Sequence, residues 1–274
     1  MTNSQHQLQG RTEDEVTWYQ RRSLLQAAAA WAAAGGFTAA HAQQGRNVVE
    51  MRGDVLRNGQ ALAAGEAIAP GDRVETGPGS SVVFTVGKDA FMVRQNTRIA
   101  LEGETPAAVK VLRVLSGAVA SVWGRGSERQ VVMPTATAGI RGTGVYAEVF
   151  PEQDFRSYFC NCYGTVDIAA GGESVVSQAS YHQAFWAEVA PRNGRMLTPA
   201  GAINHTDEEL EFLARLVDQR TAWQIAGRKG SKDGSGQIGY PAAPGGSGGS
   251  STPAAPAPGP TSRARPPSPY GSDY

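Results

Sequence analysis

The chain has 274 residues, and 25 lysines and arginines balance 25 aspartates and glutamates, so its formal net charge is +0. A neutral chain has no overall basic field that would attract nucleic acid, and no apolar run reaches the length of about 18 residues that spans a membrane. Two cysteines are too few for a disulfide-rich scaffold or a four-cysteine zinc site.

An export signal is predicted at the N-terminus. Arg21 and Arg22 precede a short, alanine-rich apolar run, and Ala40 and Ala42 form a small-x-small cleavage pattern. This combination is typical of a twin-arginine export signal. The apolar run covers every face and lacks helix caps, which disfavours a cytosolic amphipathic helix. We therefore expect cleavage after Ala42 and a periplasmic location, with membrane contact only if the signal stays uncleaved.

Short apolar, β-branched segments then recur through residues 47–180 with turn residues between them. Asn58-Gly59 is the strongest short hairpin signal among these turns. Glycine or proline interrupts most of the region, which disfavours helices. The pattern predicts a mainly β fold of many short strands, as a β-sandwich or a β-solenoid-like domain. The predicted strands are Arg73–Thr76, Ser81–Val86, Ala90–Val93, Arg98–Leu101, Val109–Val114, Ala118–Trp123, Gln130–Met133, Val145–Phe150, Tyr158–Cys162 and Thr165–Ile168.

Four motifs follow one another in this region, namely Gly71–Gly77, Phe91–Ile99, Leu115–Val119 and Thr135–Val145. Their order resembles the FecR domain, a periplasmic module, over about residues 47–170. The resemblance implies a non-catalytic envelope module that recognises a protein or a polymer. Only 20 residues precede the arginine pair, fewer than the cytoplasmic segment of the founding family needs, so a stand-alone exported module is expected.

The glycine-rich block Gly139–Gly144 has no lysine after its last glycine, and no helix pattern follows it. A tight β-corner is therefore favoured there over an anion-binding loop.

Cys160 and Cys162 are the most distinctive chemical feature of the chain. On a strand, both sulfurs would point to the same face. Three interpretations stay open: a strained small-loop disulfide, a soft-metal site completed by His182 and His205, and two buried reduced thiols. The gaps of 19 residues from Cys162 to His182 and 22 residues from His182 to His205 match no zinc-finger pattern.

The histidines alone do not indicate catalysis. His182 lies among aromatic residues and His205 lies directly before a helix cap, where packed or hydrogen-bonded histidines are commoner than ligands. Without a Ser/His/Asp spacing, a metalloprotease helix or a nucleotide loop, we expect no enzyme and no cofactor. The alternative function is a metal- or redox-linked periplasmic protein centred on the two cysteines.

One C-terminal helix is predicted over 207–219 from a capping box at Thr206 and Glu209 and an apolar face containing Leu210 and Leu213. Ten glycines, nine prolines and eight serines in the last 47 residues predict a disordered tail. The predicted organisation is a signal peptide over 1–42, a FecR-like β-domain over 43–190, a linker and docked helix over 191–227, and a tail over 228–274.

Overall fold

The computed structural model describes residues 47–126 and 128–238. The export signal, with Arg21, Arg22, Ala40 and Ala42, and the predicted tail beyond residue 238 lie outside the described residues. Within the described part of the chain, neither helix has the length and apolar character needed to cross a bilayer.

The fold is mainly β, which confirms the prediction drawn from the turn-rich sequence. The strands are β1 (Val48–Arg52), β2 (Val55–Arg57), β3 (Gln60–Ala61), β4 (Arg73–Thr76), β5 (Ser81–Val86), β6 (Asp89–Val93), β7 (Arg98–Glu102), β8 (Val111–Val122), β9 (Arg129–Val132), β10 (Thr137–Ile140), β11 (Gly144–Phe150), β12 (Arg156–Ala170), β13 (Glu173–Ala179), β14 (Tyr181–Arg192), β15 (Arg195–Ala200) and β16 (Ser235–Gly236). The helices are α1 (Asp207–Leu216) and α2 (Ala222–Ala226), and one 3-10 turn spans Pro151–Gln153.

Five strands close into a barrel, to which further strands are added. β8 pairs with β11, β11 with β12, β12 with β10, β10 with β9, and β9 returns to β8 in a parallel pair. The sheet also extends from β8 through β6 to β5 and from β12 through β14 to β15. The architecture is thus a closed barrel, in place of the expected sandwich or solenoid.

The long strand β12 carries both cysteines and joins two parts of the sheet. Its first half pairs with β11 and β14, and its second half pairs with β10 and β13. Gly164 lies between the halves with φ +100, and a Cβ there would lie 2.6 Å from Thr143 Cγ2. Glycine therefore lets one strand bend where the sequence predicts two, Tyr158–Cys162 and Thr165–Ile168.

The two faces of the sheet pack differently. The inner core lies on the barrel side and includes Phe84, Phe91, Trp123 and Phe159. The helix-covered face lies on the opposite side, under α1 and α2, and is formed by Met92, Tyr146, Tyr158, Cys160, Cys162, Leu210, Leu213 and Trp223 with their neighbours. Side chains alternate across a strand, so Phe159 points into the inner core and both cysteines point to the helix-covered face.

Helix α1 begins at a complete capping box. The Glu209 amide donates to Thr206 Oγ1 at 3.3 Å, and Glu209 Oε2 accepts from the Thr206 amide at 2.7 Å. The helix ends at Leu216, three residues before the predicted end, and Asp218 in the following turn has φ +54. A second capping box at Thr221 then starts α2, which the sequence analysis did not predict.

The predicted boundaries differ from the structure on both sides of the helices. Strands continue past residue 190 through β15, and residues 228–238, assigned from composition to the tail, carry β16. In β16, Ser235 pairs with Gln183 and Gly236 with Tyr181. Composition misplaced this boundary because backbone pairing to β14 compensates for the few apolar side chains of the segment.

Candidate metal centre

Four side chains from three separate segments meet on the helix-covered face. Cys160 and Cys162 are two residues apart on β12, His182 is the second residue of β14, and His205 lies in the loop between β15 and α1. We call these residues the Cys2His2 cluster. The first three have no exposed surface, and His205 is 4% exposed.

Four of the six distances within the cluster lie within about 0.4 Å of the edges of a tetrahedral zinc site. The two sulfurs lie 3.9 Å apart, and the two facing nitrogens, His182 Nδ1 and His205 Nε2, lie 3.0 Å apart. Cys160 Sγ is 3.6 Å from the first nitrogen, and Cys162 Sγ is 3.5 Å from the second. All four atoms fall within 4.8 Å of one another. Zinc bonds of about 2.3 Å to sulfur and about 2.0–2.1 Å to nitrogen give tetrahedral edges of about 3.8 Å (S–S), 3.5 Å (S–N) and 3.4 Å (N–N).

The outer nitrogen of each histidine has its own acceptor. His182 Nε2 lies 2.9 Å from Asp207 Oδ1, and His205 Nδ1 lies 2.6 Å from the Ile203 carbonyl oxygen. These acceptors assign the N–H of each neutral ring to the outside of the cluster. The inner nitrogens then present two lone pairs to each other, an arrangement that is repulsive unless a cation or a proton lies between them.

Asp207 is fixed from several sides. Its carboxylate accepts from Tyr181 Oη at 3.0 Å and forms ion pairs with Lys229 at 2.9 Å and Lys232 at 3.1 Å. A carboxylate behind a ligating histidine fixes the ring orientation and increases the basicity of the inner nitrogen. Asp207 is the first residue of α1, and no local sequence pattern around it indicates a contact with the cluster.

The pKa values of the two cysteine thiols are shifted in opposite directions. Burial raises the pKa of the Cys160 thiol, but the hydrogen bond from Cys162 and the charge of His205 outweigh it and hold the pKa well below its usual value. Burial and the hydrogen bond to Cys160 raise the pKa of the Cys162 thiol well above its usual value.

The pKa values of the two histidines are also shifted in opposite directions. Burial lowers the pKa of His182, but the hydrogen bonds to Asp207 and Cys160 together with the charge of Cys160 outweigh it, so the net shift is upward. Burial lowers the pKa of His205 below its usual value.

The backbone at His182 is strained. Its φ is +30, in a region that L residues with a Cβ rarely adopt, and the pairing of β14 with β16 shifts register at this residue. Such a conformation costs about 1–3 kcal/mol and concentrates at functional sites. Here it turns the imidazole toward the cysteines.

Aromatic rings pack against both histidines. Trp223 stacks on His182 with ring centroids 5.3 Å apart, and Tyr146 stacks on His205 at 4.6 Å. Trp223 Nε1 donates to Glu211 Oε1 at 2.7 Å, which ties α2 to α1. The inner nitrogens are thus held in a dry, fixed environment.

The cysteines are free thiols in this structure, so the disulfide considered from the sequence is not formed. Their separation of 3.9 Å is far longer than a sulfur–sulfur bond of about 2.05 Å. Alternate positions of one extended strand place the Cα atoms near the upper limit for a disulfide, which explains why the pair stays open. The histidine positions that the sequence analysis interpreted as ordinary packing sites are instead next to these sulfurs.

Cys160, His182 and Asp207 also lie in the order of a thiol-nucleophile triad, at 3.6 Å and 2.9 Å. A nucleophile must reach its substrate, and Cys160 has no exposed surface. The second cysteine and second histidine have no role in such a triad, whereas a metal ion uses all four groups.

The other chemical candidate of the sequence, the block Gly139–Gly144, forms the end of β10 and the turn into β11. Gly142 in that turn has φ +69. The geometry is the tight β-corner favoured from the sequence.

Comparisons of the chain with protein-family models, curated proteins and solved structures find no match. The FecR resemblance stays a prediction, and the chemistry of the cluster rests on its geometry.

Proposed function

We propose that the protein is a zinc-binding β-barrel module in which the Cys2His2 cluster holds one Zn²⁺ in a closed tetrahedral centre. The observation that carries this proposal is that two histidine nitrogens face each other at 3.0 Å, flanked by two sulfurs, while the outer nitrogen of each ring has its own acceptor. A cation at the centre turns this repulsive arrangement into four attractive contacts.

Charge favours a divalent ion. Two thiolates and one Zn²⁺ form a neutral unit, and a neutral unit avoids the large cost of burying net charge. Asp207 stands outside this unit and is balanced by Lys229 and Lys232. A monovalent ion with the same two thiolates would leave a negative charge in a site that has almost no contact with water.

A centre with four protein ligands is of the structural type, since catalytic zinc keeps an open position for water or substrate. Cys160 and Cys162 belong to the barrel strand β12, His182 belongs to the neighbouring strand β14, and His205 belongs to the segment that leads into α1. The ion therefore joins the helical segment to the barrel and has no catalytic role in this proposal.

The location of this module follows from sequence patterns. The arginine pair and the small-x-small site support export to the periplasm, and the FecR-like motif order supports recognition of an envelope protein or polymer. Replacing Arg21 and Arg22 by lysine is expected to stop periplasmic delivery, as measured by cell fractionation. Normal delivery of this variant contradicts a twin-arginine route.

The metal proposal is tested on the purified full chain. Elemental analysis is expected to find one zinc per chain, and exchange for Co²⁺ is expected to give the visible absorption of tetrahedral cobalt with sulfur-to-metal charge transfer. Cys162→Ser and His205→Gln should each lose zinc and the cobalt spectrum.

Ser157→Ala provides the matched control, because Ser157 is equally buried on β12 but lies on the opposite face. This variant is expected to retain full zinc. Zinc-free protein that resists loading after reduction, or full zinc in Cys162→Ser, overturns the proposal.

A further inference from the structure

The segment after α1 passes directly over the cluster. We call residues 222–238 the strap; it contains α2, Lys229, Lys232 and β16. The helix α1 has a separate anchor in the ion pair between Glu209 and Arg94, whose side chains are 2% and 4% exposed. The strap can therefore move without removing α1 from the sheet.

The strap contacts the surroundings of both histidine ligands. β16 pairs with Tyr181 and Gln183, the two neighbours of His182 in the chain. Trp223 of the strap covers the His182 ring, as described above. Lys232 Nζ donates to the His205 carbonyl oxygen at 3.4 Å and to Asp207 at 3.1 Å.

Trp223 is the buried apolar anchor of the strap, and the mostly exposed residues after it are held mainly by polar contacts. The Ala202 amide donates to the Lys232 carbonyl at 3.0 Å, and the Ser180 amide donates to the Gly236 carbonyl at 2.8 Å. The Lys229 side chain is 44% exposed in its ion pairs with α1. Segments with few buried apolar contacts and solvent-exposed hydrogen bonds open locally at low cost.

We infer that the strap is the gate of the metal centre: zinc enters and leaves only when residues 222–238 lift from β14 and Asp207. This inference rests on the proposed function and adds a route for exchange to it. The barrel strands beneath the cluster do not need to open, because the inner core lies on their other face. Metal exchange is then a local opening, slower than exchange at an exposed site and faster than unfolding of the barrel.

Two glycines of the chain offer a matched test. Gly234 in the strap has φ +83, and a Cβ there would lie 1.7 Å from the Ala200 carbonyl oxygen. Gly172, in the turn between β12 and β13, has φ +88, and nothing lies within 4 Å of its added Cβ. Alanine strains the backbone at both positions, but only at Gly234 must it push the strap away.

The experiment measures zinc loss from the zinc-loaded full chain to excess EDTA. Gly234→Ala is expected to lose zinc at least about tenfold faster than the wild type, because clash and strain both favour the lifted strap. Gly172→Ala should lose zinc at the wild-type rate. A wild-type rate in Gly234→Ala, or equal acceleration in both variants, overturns the gate.

Hydrogen exchange on the zinc-loaded wild type gives a test that needs no variant. The amides of residues 222–238 must open at least as fast as zinc leaves, and zinc loss that outpaces their opening overturns the gate. The zinc content of the wild type separately decides the proposed function. If the gate tests fail but the wild type holds one zinc per chain, the proposed metal centre stands and only the gate is overturned. If the wild type holds no zinc, both proposals are overturned.

Discussion

The inner core and the helix-covered face are built from opposite sides of the same strands, but different interactions stabilise them. The inner core is a cluster of apolar side chains such as Phe84, Phe91 and Phe159. The helix-covered face includes the Cys2His2 cluster and the buried pair of Arg94 and Glu209. An apolar core tolerates substitutions that conserve volume at a modest cost in stability. A buried polar group is stable only when its specific hydrogen-bond or ion-pair partner is present.

This difference implies separate stabilities. In the inner core, each residue contributes through area and volume, and the barrel strands hold one another in a ring. On the helix-covered face, the helical segment is bound to the sheet by a few directional contacts and, in our proposal, by one ion. The helix-covered face should therefore loosen first, and the following predictions test this expectation from the largest effect to the smallest.

Chelation of the metal should have the largest effect. We expect the helix-covered face to lose more than about 5 kcal/mol, since structural zinc contributes roughly 10–16 kcal/mol in zinc-finger peptides. Hydrogen exchange resolved by region should show faster exchange over 203–238 and little change in β9 and β10. Uniform loosening of the whole chain contradicts the division into two regions.

Arg94→Met should cost about 3–5 kcal/mol, because it breaks a buried ion pair with the Glu209 carboxylate by removing one partner. Arg98→Met is the matched control, since Arg98 pairs with Glu75 at 3.0 Å on the surface and exposed pairs contribute about 0–1 kcal/mol. Chemical denaturation measures both. Equal losses would show that burial does not distinguish the two pairs.

The inner side of the sheet contains Asp89, a buried acid that sharpens the comparison. Burial raises its pKa to about 6, although the Gly124 amide and Arg129 lower it. The folded state therefore binds a proton that the unfolded state releases at lower pH. The associated stability is full below about pH 4 and is lost as pH rises through 6, by up to about 3 kcal/mol.

Asp89→Asn should remove this pH dependence. The difference between wild-type and variant unfolding free energies, measured from pH 4 to pH 7, should fall steadily and level above about pH 6. A flat difference would show that the Asp89 carboxyl keeps its ordinary pKa in the folded protein.

Thr206→Ala should have the smallest effect, about 1 kcal/mol, through loss of the N-cap of α1. Because Asp207 is the first residue of that helix, the same change should also weaken zinc binding slightly in a competition titration. Unchanged stability would mean that the Glu209 side chain alone holds the start of the helix.

Local patterns predicted local structure. The Asn58-Gly59 signal marks the turn between β2 and β3, with φ values of +54 and +79, and the capping box marks the start of α1. β4 and β5 have the predicted bounds. In each case the sequence signal lies within a few residues of the element that it specifies. A single sequence is therefore enough to predict these elements.

The arrangement of the site depends on long-range register, which local patterns do not contain. Cys160 pairs with Ala184 across β12 and β14, and this register brings His182 next to the sulfurs. The approach of His205 requires the docking of a helix that begins 45 residues after Cys162. The four ligands could be named from the sequence as one possibility, but Asp207 and the strap could not be connected with them.

The ligand positions also determine how the ion acts on the unfolded chain. A bond between Cys160 and Cys162 would close a loop of three residues and barely restrict the disordered ensemble. Zinc links Cys160 to His205, and a cross-link across a loop of about 46 residues removes roughly 4 kcal/mol of chain entropy at 25 °C. A zinc ion bound to the two sulfurs and the two histidines is thus a long-range cross-link. A disulfide within one strand cannot form such a cross-link.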